Sequence, residues 1–462
     1  MSLQGLLTVP ESVRHAAELI AGLDRCFLVG FGRLGPEQHA ALQALQRTCA
    51  GTPLDKPISD AVAAIGRSEF VDRHFAALAA ARAALQGAQY DALRAQVRTA
   101  LGRPADPAAT PPPAPPAATE GPIAVWQESA RNWLMELALC GFRQLEAQTV
   151  APFLSTLEHL QGEARTARLA AVLTGFLNEL LDALPVEALP TLPLYRWVDL
   201  WTRCMLGSVR PPAPPAGEKV TGVLTPLGAD LRQHGYAVSC VVYALLQPEP
   251  ACIVRVTVSA FKVSVMAGSD VWSCFPASAH DLIGALAERY ALQVDGATLL
   301  PGGDLLWDGK ARAGDDADVL KLAAARLAPG AADAPWTPPA DPLDRHPIQL
   351  AEPVYLNSFK VADGTPPTLD LGDGVALPVA VQRLSRGGEL RPEHVTTAKN
   401  MLGLLRFDAG RWEVQPLCVV LSGKKEEVVF TGGLADQAIT GKAAKTLSIL
   451  KERAGKLLRV KS

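Results

Sequence analysis

Gly30-Phe31-Gly32-Arg33-Leu34-Gly35 follows the apolar run Cys26–Val29 and spells G-x-G-x-x-G. In a dinucleotide-binding unit such glycines allow a tight turn and let backbone amides approach a pyrophosphate at a helix start. That chemistry also needs a second strand ending in an acidic residue. Here Asp55 sits instead in the turn-like Thr52-Pro53-Leu54-Asp55-Lys56-Pro57. The surrounding block has too few strand-like stretches for a doubly wound sheet. The glycines therefore read as a break between helices, with nucleotide binding as the alternative.

Other reactive-looking groups meet the same test. Ser422-Gly423-Lys424-Lys425 matches S-x-x-K, in which a lysine activates a serine, but the companion motifs of such enzymes are missing. Lys424-Lys425-Glu426-Glu427 between two apolar stretches reads as a charged hairpin tip. No glycine lies five residues before the Gly-Lys pair, so it is not a phosphate loop. Asp304, Asp308, Asp315, Asp316 and Asp318 could ligate a hard cation, yet their spacing is not that of a calcium loop. A solvated loop and a helix N-terminus fit them better. The eight histidines are scattered with no H-E-x-x-H, and the eight cysteines show no C-x-x-C. Trp197 and Trp201, one helical turn apart, read as core anchors, with a partner-binding face as the alternative. No catalytic residue, metal ligand or cofactor is assigned.

One charged feature stands out. From Ile439 to Ser462 the chain carries Lys442, Lys445, Lys451, Arg453, Lys456, Arg459 and Lys461 against Glu452 alone. The net +6 leaves −9 on the rest of a chain whose total is −3. Ile439, Ala443, Leu447, Leu450, Ala454 and Leu457 form an apolar stripe at helical spacing, so the segment reads as a basic amphipathic helix. Lys442, Lys445, Lys451, Arg453, Lys456 and Arg459 are accordingly the candidate contacts for nucleic acid or a protein partner; a merely solvated face is the alternative.

The elements that would position these groups are divided by proline. Arg103–Pro122 and Pro211-Pro212-Ala213-Pro214-Pro215 lack the amide donors of a helix or a sheet ladder. They split the sequence into a helical domain (1–102), a linker (103–122), a helical bundle (123–208), a second linker (209–218), an α+β domain (219–328), a proline-rich connection (329–353) and a β-rich domain ending in the basic helix (354–462). Val71, Phe75, Leu78, Ala81 and Leu85 mark a helix in the first block. Trp126, Ala130, Trp133, Leu134, Leu137 and Gly141 mark one in the second. The strict alternation of residues 254–259 and the β-branched run 236–246 predict a hairpin turning at residues 247–250. Further helices are expected at 279–290 and 316–327, and strands at 354–361, 375–384, 402–407, 412–421 and 427–430. No repeat of solenoid period is evident. The fold class is thus multidomain, α and α+β, with two N-terminal helical domains joined by Pro/Ala linkers to a strand-rich C-terminal half.

Composition sets the class. The 462 residues are 48% hydrophobic and 20% charged, which is globular. The N-terminus lacks the basic-then-apolar pattern of a signal peptide, and the most apolar stretch, 169–184, is broken by Asn178, Glu179 and Asp182. A soluble, cytoplasmic protein without a membrane partner is expected.

Leu194-Tyr195-Arg196-Trp197-Val198-Asp199-Leu200-Trp201-Thr202-Arg203, and Gly403-Leu404-Leu405-Arg406-Phe407-Asp408 with Gly410-Arg411-Trp412, resemble uncharacterised bacterial proteins encoded beside AAA+ ATPases of the MoxR type, von Willebrand factor A proteins and SWIM zinc-finger proteins. The resemblance brings no catalytic motif and implies an accessory subunit of an NTP-driven assembly. The resulting expectation is a non-enzymatic adaptor or scaffold that binds other proteins. A nucleic-acid-associated protein using the basic helix is the first alternative; a nucleotide-binding or hydrolytic enzyme is the second.

Overall fold

Alanine- and leucine-rich stretches with few β-branched residues propagate helix readily, and the N-terminal half follows that preference. A computed structural model describes residues 3–105, 121–209, 216–234, 237–247, 251–263, 266–331, 338–339, 342–423 and 427–435. The helices are α1 (Glu11–Val29), α2 (Pro36–Cys49), α3 (Asp55–Gly66), α4 (Asp72–Ala100), α5 (Pro122–Cys140), the single turn α6 (Ala147–Val150), α7 (Leu154–Gln161), α8 (Ala167–Asp182) and α9 (Leu194–Val209). Two compact units divide the chain. Pro10–Ala92 and Ala108–Pro214 form the helical one; Met1–Val9, Leu93–Pro107 and Pro215–Ser462 form the other.

The two helical blocks expected as separate domains share one core. Leu23, Phe27, Leu45, Ile58 and Phe75 from before the first proline seam pack in the same cluster as Leu134, Phe142, Phe176, Trp197 and Trp201 from after it. The ring of Phe27 lies 4.4 Å from that of Trp201. The apolar faces of α1 and α9 cover each other across the seam. Residues 93–102, expected with the first block, and 103–107, expected as linker, belong to the other unit.

A two-fold repetition organises this core. Helices α1 and α5 each run nineteen residues and each end at a glycine, Gly30 (φ 97, ψ 134) and Gly141 (φ 89, ψ 138). Each glycine is followed by a 3-10 turn, Phe31–Arg33 or Phe142–Gln144, and then by a leucine, Leu34 or Leu145. The two glycines meet back to back. A Cβ on Gly30 would stand 2.6 Å from the Cys140 carbonyl oxygen, and one on Gly141 would stand 2.5 Å from that of Val29. Such reciprocity is the signature of a two-fold contact. The phenylalanines repeat it: Phe31 sits edge-on to Phe75 at 5.2 Å, and Phe142 edge-on to Trp197 at 5.7 Å.

The second unit is α+β, and its sheets are antiparallel. Its elements are β1 (Glu218–Gln233), β2 (Ala237–Gln247), β3 (Cys252–Phe261), α10 (His280–Glu288), β4 (Tyr290–Leu299), β5 (Leu305–Leu306), β6 (Ala311–Asp316), α11 (Val319–Leu327), β7 (Glu352–Asn357), β8 (Lys360–Ala362), β9 (Thr368–Asp370), β10 (Ala376–Pro378), α12 (Pro392–Thr396), β11 (Ala398–Asp408), β12 (Arg411–Leu421) and β13 (Glu427–Phe430). One sheet has the order β3-β2-β1-β4-β5, with β6 also on β4. A second runs β13-β12-β11-β7, and a small one β10-β9-β8.

The first sheet is covered on both faces, and β2 displays this by alternation. Val238, Cys240, Val242 and Ala244 pack with Leu282, Ile283 and Leu286 of α10. Val241, Tyr243 and Leu245 pack with α11 and with Leu402, Leu404 and Leu417 of the second sheet. The sheets approach closely at Gly228, where an added Cβ would stand 2.7 Å from the Leu417 Cβ. Register shifts fall beside both residues, leaving Leu227 and Leu417 as bulged positions. Residues 375–384, expected as one strand, hold β10 and then the 3-10 turn Val381–Arg383. Among the described residues no helix is long and apolar enough to cross a membrane.

Candidate functional site

The G-x-G-x-x-G stretch lies between two helices. Residues 26–29 are the last turn of α1, Gly30 is its C-cap, and Gly35 is the N-cap of α2. The packing of Gly141 against Gly30 accounts for the glycine without a ligand. Ser422 and Gly423 follow β12, and β12 pairs antiparallel with β13, as the hairpin reading requires; residues 424–426 lie outside the described residues. Trp197 and Trp201 are core residues, each 1% exposed, and Trp201 Nε1 donates to the Leu134 carbonyl at 2.8 Å.

The carboxylates of the acidic stretch are spread out. Asp304 accepts from Arg255 Nη2 at 2.7 Å, and Asp308 faces Lys310 at 3.7 Å. Asp318 caps α11 by accepting from the Lys321 backbone N–H at 3.0 Å. Among the described residues no three His, Cys, Asp or Glu side chains converge where a metal could sit. The described cysteines are all free thiols. Burial pushes Cys26 up to about 12, far from the thiolate that nucleophilic chemistry needs.

Three buried ionic groups escaped the sequence reading, because each joins side chains 58 to 258 residues apart. In the helical unit Arg82, fully buried, reaches both oxygens of Asp24 at 2.9 and 3.2 Å and Asp199 at 3.3 Å. In the α+β unit Glu352 accepts from Arg94, Arg98 and Arg103. Asp230 on β1 accepts from Arg406 of β11 at 3.0 Å, Gln415 of β12 at 2.9 Å and Arg232 at 2.7 Å. Burial would push the Asp230 carboxyl up, but Arg406, Arg232 and the Gln415 amide together hold it below the ordinary range. Each group ties secondary elements together with its charges opposed, a structural role.

An open cavity of about 260 Å³ is a better candidate for recognition. It forms in the α+β unit where the bulge at Pro226–Leu227 meets the end of α10, the start of α11 and the β12–β13 hairpin. Leu227, Leu286, Leu320, Val428 and Phe430 supply apolar walls, and Cys418 lies among them with its thiol pushed up to about 12 by burial. Arg289, the left-handed C-cap of α10, places its guanidinium 5.5 Å from the centre of the Phe430 ring. A second hollow of about 440 Å³ shares Ala317 and Asp318 with the first and is edged by Asp315, Asp316 and Lys321. These three aspartates are exposed, and among the described residues none is in an ion pair. The arrangement is an apolar groove bordered by carboxylates with one lysine among them. It suits a ligand with an apolar side and a basic side.

The sequence-derived contacts Lys442, Lys445, Lys451, Arg453, Lys456 and Arg459 lie outside the described residues, as do most of the two proline seams. No protein-family model, curated protein or solved structure matches the chain.

Proposed function

We propose that this chain is a non-enzymatic adaptor whose α+β unit binds basic amphipathic segments of protein partners. The observation that carries the reading is the groove: apolar walls around Leu286, Leu320 and Phe430, with Asp315, Asp316 and Asp318 at its border. Apolar contact supplies affinity in such a groove, while flanking carboxylates set orientation and reject acidic competitors. A two-unit layout supports the same reading, since a second unit with its own core can hold a second partner. The resemblance to proteins encoded beside AAA+ ATPases fits an accessory subunit of an NTP-driven assembly in a bacterial cytoplasm.

The test uses the full chain and a labelled synthetic peptide of alternating leucine and lysine at helical spacing, followed by fluorescence anisotropy. Saturable binding that weakens with salt is expected, together with its loss in Leu320→Glu and its weakening in Asp315→Asn/Asp316→Asn. Equal binding of a peptide with glutamate in place of lysine would overturn the reading.

A further inference from the structure

We propose that the groove is held in the free protein by the chain's own C-terminal segment, residues 439–457. In this arrangement the apolar stripe Ile439, Ala443, Leu447, Leu450, Ala454 and Leu457 seats on the groove wall, and the basic residues beside it face Asp315, Asp316 and Asp318. The inference rests on the groove being a recognition site and adds how that site is regulated: a partner must displace the tail.

The last described residues pack against the groove. Ala435, fully buried, packs in the same cluster as Leu286. Gly432 lies against Leu286 so closely that an added Cβ would stand 2.5 Å from its Cγ. Leu286 is itself a wall of the groove, and so is Phe430. The last described residues, 430–435, therefore lie at the groove's edge. Eleven residues lie between Ala435 and Leu447, a span of up to about 40 Å fully extended. No long excursion is required.

Charge is the second argument. The 439–462 segment carries a net +6 and the remainder of the chain −9. Asp315, Asp316 and Asp318 meet one lysine, Lys321, at the acidic hollow, while Arg289 is turned over Phe430. The groove and its rim thus carry three carboxylates against two cations, a net negative charge.

Tethering is the third. A covalently linked segment binds at a millimolar effective concentration, so contacts too weak for a free peptide suffice in cis. Each leucine buried from water adds to the hold, less the cost of ordering its side chain. Two or three leucines with two screened charge pairs then hold the tail in place and still let it leave.

Zero-length carbodiimide crosslinking of the full chain tests this directly, because it joins carboxylates only to amines in contact. The expected products link residues 315–318 to Lys442, Lys445, Lys451 or Lys456. An equal mixture of ¹⁵N-labelled and unlabelled chains should give unmixed products, which marks the contact as intramolecular. Loss of these links is expected in Leu447→Ser/Leu450→Ser and in Leu320→Glu. Tail lysines joined instead to other carboxylates would overturn the proposal, and isotopically mixed products would assign the groove to a second copy. The adaptor reading fails separately. If the crosslinks form but Leu447→Ser/Leu450→Ser does not bind the leucine-lysine peptide more tightly than the native chain, the groove serves the tail alone.

Discussion

Gly30 and Gly141 illustrate how residue-level chemistry can mislead when read alone. In sequence, Gly30 opens a phosphate-binding pattern; in the fold, its missing Cβ makes room for another backbone. The two roles predict different sensitivities. A nucleotide loop depends most on the central glycine, whose amide approaches the pyrophosphate. A helix-to-helix contact depends on Gly30 and Gly141, which combine positive φ with a backbone 2.5–2.6 Å from the missing Cβ. Gly30→Ala and Gly141→Ala should each cost roughly 2–4 kcal/mol, from left-handed strain plus the displaced backbone. Gly32, whose Cβ would stand 3.3 Å from the Leu139 carbonyl, should tolerate alanine within about 1 kcal/mol. Urea unfolding followed by tryptophan fluorescence checks the order, since Trp133, Trp197 and Trp201 sit in this core. A Gly32→Ala variant that is the least stable of the three would refute the contact argument.

At the scale of elements, the sequence was legible where period and burial agree. Strands β2, β3, β11 and β12 alternate or run apolar, and their positions were read within a few residues. Strand β1, sixteen residues long, was missed because Gly222, Pro226 and Gly228 interrupt its pattern. The structure gives those interruptions a packing role: the bulge sets Leu227 in the cavity wall, and Gly228 admits Leu417. Sheet-to-sheet pairing was not legible, because it rests on partners such as Asp230 and Arg406, 176 residues apart. This pairing has a pH signature. Asp230 sits below its ordinary range in the folded state, so its contribution is fully present above the unfolded value, about 3.9. It is lost as pH falls through the folded value, and stability should therefore decline below about pH 4. Asp230→Asn should cost roughly 3–5 kcal/mol at neutral pH, by leaving Arg406 without its carboxylate. It should also flatten the acid limb when urea midpoints are compared from pH 7 to pH 3. An unchanged acid limb would assign that dependence to other carboxylates.

The whole molecule departs most from what proline suggested. A seam rich in proline marks where a chain cannot continue a helix, but it says nothing about whether the flanking blocks share a core. Here the blocks on either side of the first seam do. The signal that could have revealed this was short: Gly-Phe-x-x-Leu occurs at residues 30–34 and again at 141–145, too brief to register as a repeat beside the 20–50-residue periods of solenoids. The consequence is testable with the intact chain. Cleavage within residues 106–120 should leave two fragments that stay together, because Leu23, Phe27 and Phe75 on one and Leu134, Phe142 and Trp201 on the other form one cluster. Separating them would expose both halves of that cluster to water, at about 25 cal/mol for each Å² of apolar surface. Limited proteolysis followed by size-exclusion chromatography should therefore show both fragments eluting at the position of the uncut protein. They should separate only in denaturant. Fragments that part under native conditions, each keeping its helical circular dichroism, would restore the picture of two independent helical domains on a tether.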